Sequence, residues 1–280
     1  MTAPTVADHR PPVPRPSTGH RVLRWFGNNL IRIYAVLAFT YLFLPIAWTI
    51  AFSFNDSGKT NLTWRGFTTQ NWQRPCDAAE FCGALENSIK IGVLSTVGSV
   101  LLGTLVAFAL GRHRFRGRSV TNLVIFLPMA TAEVIMGASL LALFLSIGWR
   151  PGFWPIVVAH IMFSLSFVVV TVKARIASLD PRLEQAAMDL YANEWQTFRR
   201  ITLPLVMPGI AGASLLAFSL SFDDFIVTNF TRGNETTFPV QVYVSALRGV
   251  PPQANVIGTA MFIAAVLIVL IAQAVGRRNP

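Results

Sequence analysis

The sequence predicts an all-α, polytopic membrane protein with six transmembrane helices, and three observations support that class. Of its 280 residues 53% are hydrophobic and only 13% are charged, whereas a typical soluble domain is about one-quarter charged. Six stretches each supply the roughly 20 mostly apolar residues that a helix needs to cross a bilayer. The sequence lacks the series of short alternating segments that an outer-membrane barrel requires. The predicted spans are residues 30–54, 89–110, 120–147, 153–172, 205–222 and 256–275.

The first span follows a segment rich in proline and polar residues, which predicts a disordered cytoplasmic tail over residues 1–24. The first apolar stretch is too long for the core of a signal peptide and lacks a small-residue cleavage site. We therefore expect this stretch to be retained, as the start of a single membrane domain over residues 25–280.

Positive charge indicates how the spans are oriented. Of the 23 Lys and Arg residues, sixteen lie in the N-terminal region, the second and fourth connections and the C-terminus, and seven lie on the opposite side. Cytoplasmic connections carry the excess of positive charge in membrane proteins. Both termini are therefore predicted to be cytoplasmic. The net charge of +10 is explained by this topology, and nucleic acid is not an expected partner.

Both cysteines, Cys76 and Cys82, lie in the first outward-facing connection. The five intervening residues allow a small disulfide ring in an oxidising compartment, and two free thiols are the alternative.

Catalytic, metal and cofactor sites are not expected. Of the four histidines only His160 lies in a predicted span, and no second His, Cys or carboxylate is placed to complete a metal site. The serines of the spans do not fall in a nucleophile-elbow pattern. The chain is therefore predicted not to be an enzyme.

The fourth connection, residues 173–204, is the longest predicted cytoplasmic segment, and its pattern indicates two short helices. Asp180 can cap the first helix, with Pro181 at its first position. Asn193 can cap the second, with a glutamine three residues on to return the bond, and Pro204 is expected to end it. A capped helical hairpin suits insertion into a groove of a partner protein. A pair of helices lying on lipid headgroups is the alternative.

This connection resembles the coupling loop of permease subunits of binding-protein-dependent ABC importers. The motif of that family is E-A-A, three residues, G, nine residues and I-x-L-P. At that spacing this chain has Gln185, Ala186 and Ala187, then Tyr191, then Ile201, Thr202, Leu203 and Pro204.

Two positions depart from the motif. Gln185 stands at the position of the motif's glutamate, although Glu184 beside it can serve in its place. Tyr191 stands at the position of the glycine. A left-handed backbone costs a non-glycine residue about 1–2 kcal/mol, so we expect a turn that is strained or differently shaped.

The resemblance extends from the first span over most of the chain and points to the spermidine/putrescine branch of the family. The strings that carry it are "LPMATAEVIMGASLLALF" from residue 127, "DPRLEQAAMDL" from 180, "LPLVMPGI" from 203, "SFDDFIVTNF" from 221 and "FPVQVYVSALRGVPPQANVIGTAMF" from 238.

The resemblance implies a type I ABC importer permease in the bacterial cytoplasmic (inner) membrane. Its partners would be a second permease subunit, two cytoplasmic ATPase subunits and an extracytoplasmic solute-binding protein. Ala186, Ala187 and Leu190 are expected to face the ATPase. The whole set expected to couple to the ATPase is Glu184, Gln185, Ala186, Ala187, Asp189, Leu190, Tyr191, Leu203 and Pro204.

A permease for another small solute is the nearest alternative function. An ATP-independent channel or secondary transporter is a more distant one. It predicts inverted repeats or several intramembrane charges. The sequence shows no such repeat, and only Glu133 lies deep in a predicted span.

Three carboxylates are candidates for the solute pathway. Glu133 is expected to face the pore or to bond to a neighbouring helix, with His160 as a conceivable partner. Asp223 and Asp224 end the fifth span, where the helix dipole disfavours anions. Because neighbours in a helix point about 100° apart, at most one should face the pore. The alternative is that one caps residues 228–232 or pairs with Arg232.

Overall fold

The computed structural model describes residues 18–57, 60–113 and 115–276, with side chains from residue 29 to residue 271. These residues form helices joined by short connections, with one isolated β-bridge and no strand. The helices are α1 (Thr18–Phe52), α2 (Gln70–Gln73), α3 (Ala79–Arg112), α4 (Arg118–Ala130), α5 (Glu133–Ser146), α6 (Phe153–Ala177), α7 (Arg182–Asp189), α8 (Glu194–Thr197), a π-helical segment (Phe198–Thr202), α9 (Leu203–Asp223), α10 (Ile226–Thr231), α11 (Phe238–Arg248) and α12 (Pro252–Gly276).

Five helices in the described part of the chain are long and apolar enough to cross a membrane. The third predicted span is not one of them, because it divides into α4 and α5, which are bent by 108°. Thr131 and Ala132 adopt an extended backbone between the two helices, shortly after Pro128 has removed a helical hydrogen bond. The expectation of one continuous helix over residues 120–147 is therefore wrong. The described chain has six spans only if this bent pair counts as one.

The N-terminal boundary also differs from the prediction. Residues 1–17 of the predicted disordered tail lie outside the described residues, but α1 begins at Thr18, so residues 18–24 are helical. The last proline of the tail is Pro16 and the next is Pro45. Without a proline in between, a helix can extend beyond the apolar stretch.

The chain forms two compact units, one of which is Ser53–Ile257. Its centre is the packing of α3, α6 and α9. Small residues allow these helices to approach closely: a Cβ atom placed on Gly103 of α3 would lie 2.7 Å from Cγ1 of Val168. The buried core of this packing is Ala107, Leu110, Val168, Val169, Val172, Ile176, Val206, Ala213 and Ala217.

The other unit contains α1 and the part of α12 that begins at Gly258. Within it, Oγ1 of Thr259 donates a hydrogen bond to the carbonyl of Thr49 at 3.5 Å. Most apolar side chains described for α1 are exposed, as expected of a helix that faces lipid or another subunit.

A disulfide joins Cys76, in the connection between α1 and α3, to Cys82 in the first turn of α3, and their Cα atoms lie 5.5 Å apart. This is the pairing that the sequence left open. The buried amide of Asn55 binds the same connection, donating to Oδ1 of Asn61 at 2.7 Å and accepting from the N–H of Arg65 at 2.8 Å.

Candidate functional site

The connection between α6 and α9 folds as the predicted hairpin. Oδ1 of Asp180 accepts the N–H of Arg182 at 2.9 Å, although α7 begins one residue later than expected. Asn193 and Gln196 form the predicted capping box, with bonds of 2.8 and 3.1 Å. Because these caps satisfy backbone groups that would otherwise be unpaired, the hairpin has a defined shape.

Tyr191 forms the turn of the hairpin with a left-handed backbone of φ 64°, the only positive φ at a non-glycine residue that the structure describes. Its N–H donates to the carbonyl of Met188 at 3.0 Å, and the N–H of Ala192 donates to that of Ala187 at 3.1 Å. These two bonds are the Schellman pattern that ends helices. The turn thus has the conformation that glycine would give it, and Tyr191 adopts that strained backbone.

The exposed face of the hairpin differs from the predicted one at Ala187. That side chain is only 7% exposed because it lies on the inner side of α7, so the expectation that it faces a partner is wrong. Leu190 and Tyr191 are instead 81% and 98% exposed, and Trp195 of α8 is 65% exposed. We call Leu190, Tyr191 and Trp195 the apolar tip. Gln185, Ala186 and Asp189 are also exposed.

Glu184 faces the other way and fixes the hairpin to the rest of the chain. Its two carboxylate oxygens accept from both terminal nitrogens of Arg112, at the end of α3, and one also accepts from the hydroxyl of Thr202. Such bidentate, charge-assisted bonds are the strong and directional kind. The carboxylate beside the motif position therefore has an anchoring contact within this chain.

The second helix of the hairpin does not end at Pro204, contrary to expectation. Residues Glu194–Asp223 form one helical segment of 30 residues. A π-helical turn lies immediately before Leu203. In it the N–H of Leu203 donates a hydrogen bond to the carbonyl of Phe198, which is one residue further back than the acceptor in an α-helix. Such a wide turn adjusts the backbone just where Pro204 lacks a donor. Pro204 is exposed and Leu203 half-buried. The hairpin therefore continues directly into α9.

The other end of α9 borders a cavity of about 310 Å³. The structure brings all three predicted pathway carboxylates to this cavity, together with four apolar side chains. Glu133 reaches it from the first residue of α5, where the bend after α4 places a carboxylate at a helix N-terminus that favours negative charge. The lining residues are Glu133, Phe163, Leu220, Asp223, Asp224, Phe225 and Ile226.

The two adjacent aspartates have different surroundings. Asp223 is exposed, whereas Asp224 is 8% exposed. The carboxylate of Asp224 accepts from the N–H of Val227 at 3.3 Å and from the N–H and hydroxyl of Thr228 at 2.7 and 2.8 Å. It caps the start of α10, as the structural alternative expected, while its neighbour is open to the cavity.

His160 pairs with Asp224 and not with Glu133. Its Nε2 lies 3.2 Å from Oδ2 of Asp224, and its Nδ1 lies 2.7 Å from the hydroxyl of Ser221, which is 2.8 Å from that of Ser95. These four residues, which we call the buried relay, connect α3, α6, α9 and the start of α10. Nε2 of His160 also lies 2.9 Å from the hydroxyl of Thr228, which donates to Asp224. The imidazole and the carboxylate are therefore linked both directly and through that hydroxyl. The sequence gave no indication of this relay because the residues that contact each other are far apart in the chain. His160 and Ser221 are 61 positions apart, and Ser95 and Ser221 are 126 positions apart.

The described residues contain no group of three or more His, Cys, Asp and Glu side chains that could hold a metal ion. The features that stand out are an exposed apolar tip, an acidic cavity, and a continuous helix between them. Together with the apolar helices they define the class as an integral-membrane transport subunit.

The chain belongs to the family described as binding-protein-dependent transport system inner membrane component, which matches residues 99–278. It is 36% identical over 258 residues to the spermidine/putrescine transport system permease protein PotC of Escherichia coli K12, covering 92% of this chain and 95% of that one. It is 36% identical over 235 residues to the putrescine transport system permease protein PotI of the same strain, covering 81% and 83%. The fold is similar to a crystal structure of a bacterial ABC transporter involved in the import of the acidic polysaccharide alginate. There the TM-score is 0.63 and the identity 19%, over 96% of this chain and 100% of the other.

Proposed function

We propose that this chain is one of two transmembrane subunits of an ATP-driven importer for polyamines, with spermidine and putrescine as its substrates. The names of PotC and PotI support this substrate class. The alginate transporter, which has a similar fold, imports an acidic polymer. Since a shared fold does not determine the solute, the substrate has to be argued from the site.

The acidic cavity is the observation that carries the substrate proposal. Exposed carboxylates at Glu133 and Asp223 line it together with apolar side chains, including Phe163 and Phe225. A polyamine is a chain of methylene groups with several positive charges, so it needs separated anions with apolar surface between them. Glu133 and Asp223 are proposed to bind the amine, while Asp224 supports the wall of the cavity.

The energy for transport would come from partner subunits. The chain is proposed to work with a second permease subunit, two cytoplasmic ATPase subunits and an extracytoplasmic binding protein in the bacterial cytoplasmic (inner) membrane. In this arrangement six spans place both termini in the cytoplasm, with the bent pair α4 and α5 as the third. The apolar tip inserts into the ATPase, and the remaining motif residues hold the hairpin in shape.

Uptake of radiolabelled spermidine and putrescine by cells carrying the intact transporter tests the substrate. Asp223→Asn should raise the half-saturation concentration about tenfold, which corresponds to roughly 1.4 kcal/mol of lost binding. Asp77→Asn is the matched control, because it makes the same change at an exposed site outside the cavity. If the intact system takes up neither amine, the substrate proposal is wrong. If Asp223→Asn behaves like Asp77→Asn, the substrate stands but Asp223 is not on its path.

Co-purification tests the proposed partners separately. The importer predicts that an ATPase subunit is recovered with the tagged permease, and that uptake stops when cellular ATP is depleted while the membrane potential is maintained. A channel or secondary transporter would retain uptake under that condition.

A further inference from the structure

Two adjoining cavities lie where α6 ends and the hairpin begins, away from the acidic cavity. The first, of about 240 Å³, has Arg112, Arg118 and Lys173 in its lining. The second, of about 260 Å³, is lined by residues of α4 and α6. Both are lined by Lys173 and Ala177. The two cavities therefore adjoin at these residues. We call them together the depression, with the first cavity as its basic mouth and the second as its apolar groove.

The positive charge of the basic mouth is only partly neutralised within the described residues. Arg112 is bonded to Glu184. The ammonium of Lys173, however, donates to a neutral amide, Oδ1 of Asn122, at 2.8 Å. Arg118 has no ion-pair or hydrogen-bond partner for its guanidinium among the residues that the structure describes. Both Lys173 and Arg118 are half-buried, where a cation loses part of its hydration. An anion bound in the mouth would compensate for that loss.

The groove has the opposite character. Its walls are apolar side chains of two helices, among them Ile125 and Phe126 from α4 and Val169 and Val170 from α6. Phe126 is 50% exposed. Lys173 stands four residues before the end of α6, which is apolar enough to cross the membrane. When α6 spans a membrane, a position so close to its end is expected at the boundary between the hydrocarbon and the headgroups.

We propose that this depression binds one anionic phospholipid, with its phosphate at Arg118 and Lys173 and an acyl chain along Ile125, Phe126 and Val170. Neither a small anion alone nor an apolar helix alone would fill both the mouth and the groove. A free phosphate ion would use the mouth and leave the groove empty, and a helix of another subunit would cover the groove without supplying an anion. An anionic phospholipid carries both parts in one molecule, and basic pockets between membrane helices are a recognised way to bind such headgroups.

Lipid retention by the purified complete transporter tests the site. Native mass spectrometry after exchange into dioleoyl phosphatidylglycerol or dioleoyl phosphatidylcholine should show preferential retention of the anionic lipid. The double variant Arg118→Gln/Lys173→Gln should reduce that retention about tenfold. Arg116→Gln/Arg199→Gln removes the same charge from two exposed positions outside both cavities and should leave it unchanged. Equal retention by the two double variants would overturn the proposal, and so would displacement of the lipid by millimolar inorganic phosphate.

A photo-crosslinking residue identifies what fills the groove in the membrane. Benzoylphenylalanine in place of Phe126 keeps an aromatic side chain at a half-exposed position. Irradiation of intact membranes should yield a phospholipid adduct, and that adduct should fall severalfold in the Arg118→Gln/Lys173→Gln background. A crosslink to another subunit, with no lipid adduct, would show that protein covers the groove and would refute the site.

Discussion

The two ends of the Glu194–Asp223 helix are built in opposite ways. At the hairpin end the characteristic side chains are apolar and exposed, with Leu190 at 81% and Tyr191 at 98%. At the cavity end they are polar and buried, with His160 at 1% and Asp224 at 8%. Large exposed apolar groups mark a surface that another molecule covers, whereas buried polar groups must find their partners inside the chain. The hairpin end therefore exposes the kind of surface that a partner can cover, whereas the buried relay at the cavity end is satisfied within the chain.

The largest expected effect on stability is at the cavity end. His160→Ala should lower the free energy of unfolding by about 3 kcal/mol, because it leaves a cavity at a fully buried position and removes the contacts of the imidazole with Ser221 and Asp224. The thermal unfolding midpoint of the purified transporter in detergent measures this effect. Asp223→Asn, one residue from Asp224 but exposed, should leave the midpoint unchanged. Equal midpoints for the two variants would mean that the buried relay does not hold the helices together.

The hairpin end should respond in the reverse manner. Leu190→Asp should weaken ATPase association by about 2 kcal/mol, roughly thirtyfold, because it places a charge where an interface core is expected. The unfolding midpoint of the permease should not change. Quantitative co-purification measures the association, with Leu62→Asp, a similarly exposed leucine at 70%, as the matched control. Unaltered ATPase recovery with Leu190→Asp would remove the docking role from the apolar tip.

The smallest expected effect concerns the turn of the hairpin. Tyr191→Gly should stabilise the local fold by up to about 1 kcal/mol. Glycine removes the strain of a left-handed backbone, and the greater flexibility that it gives the unfolded chain offsets part of this gain. Ala186→Gly, inside α7, should destabilise it by about the same amount. Hydrogen exchange at the amides of residues 186–192 distinguishes the two changes. Faster exchange in both variants would show that Tyr191 supports the turn through its side chain.

The same contrast explains what the sequence could predict. The capping box at Asn193 was predictable because it depends on residues within one helical turn. The strained turn at Tyr191 was expected because the family motif has a glycine at that position. The pairing of His160 with Asp224 was not, because it depends on how α6, α9 and α10 pack. The break between α4 and α5 was also missed. An apolar stretch of suitable length does not show whether the helix that it forms is straight or bent. Pro128 alone was therefore not enough to predict a bend of 108°.

The burial of individual side chains in the hairpin could not be predicted either, because it too depends on packing between distant parts of the chain. Ala187 belongs to a recognisable motif, but the motif does not tell which of its alanines faces inward. The structure shows that Ala187 does, at 7% exposure. Glu184 likewise has a partner, Arg112, that lies 72 positions away in the sequence. Local patterns therefore predicted most of the helices and their caps, and long-range packing determined what each side chain contacts.

The continuous path from hairpin to cavity also has a geometric consequence. From Pro204 to Asp223 the helix rises about 28 Å at 1.5 Å per residue. A tilt of about 5° at Pro204 would therefore displace the carboxylate of Asp223 by about 2.5 Å, close to the length of one hydrogen bond. In the proposed importer, a displacement of that size would be enough to make or break one hydrogen bond between Asp223 and an amine. Because the hairpin continues directly into this helix, a small change of angle at the hairpin becomes a larger displacement at Asp223.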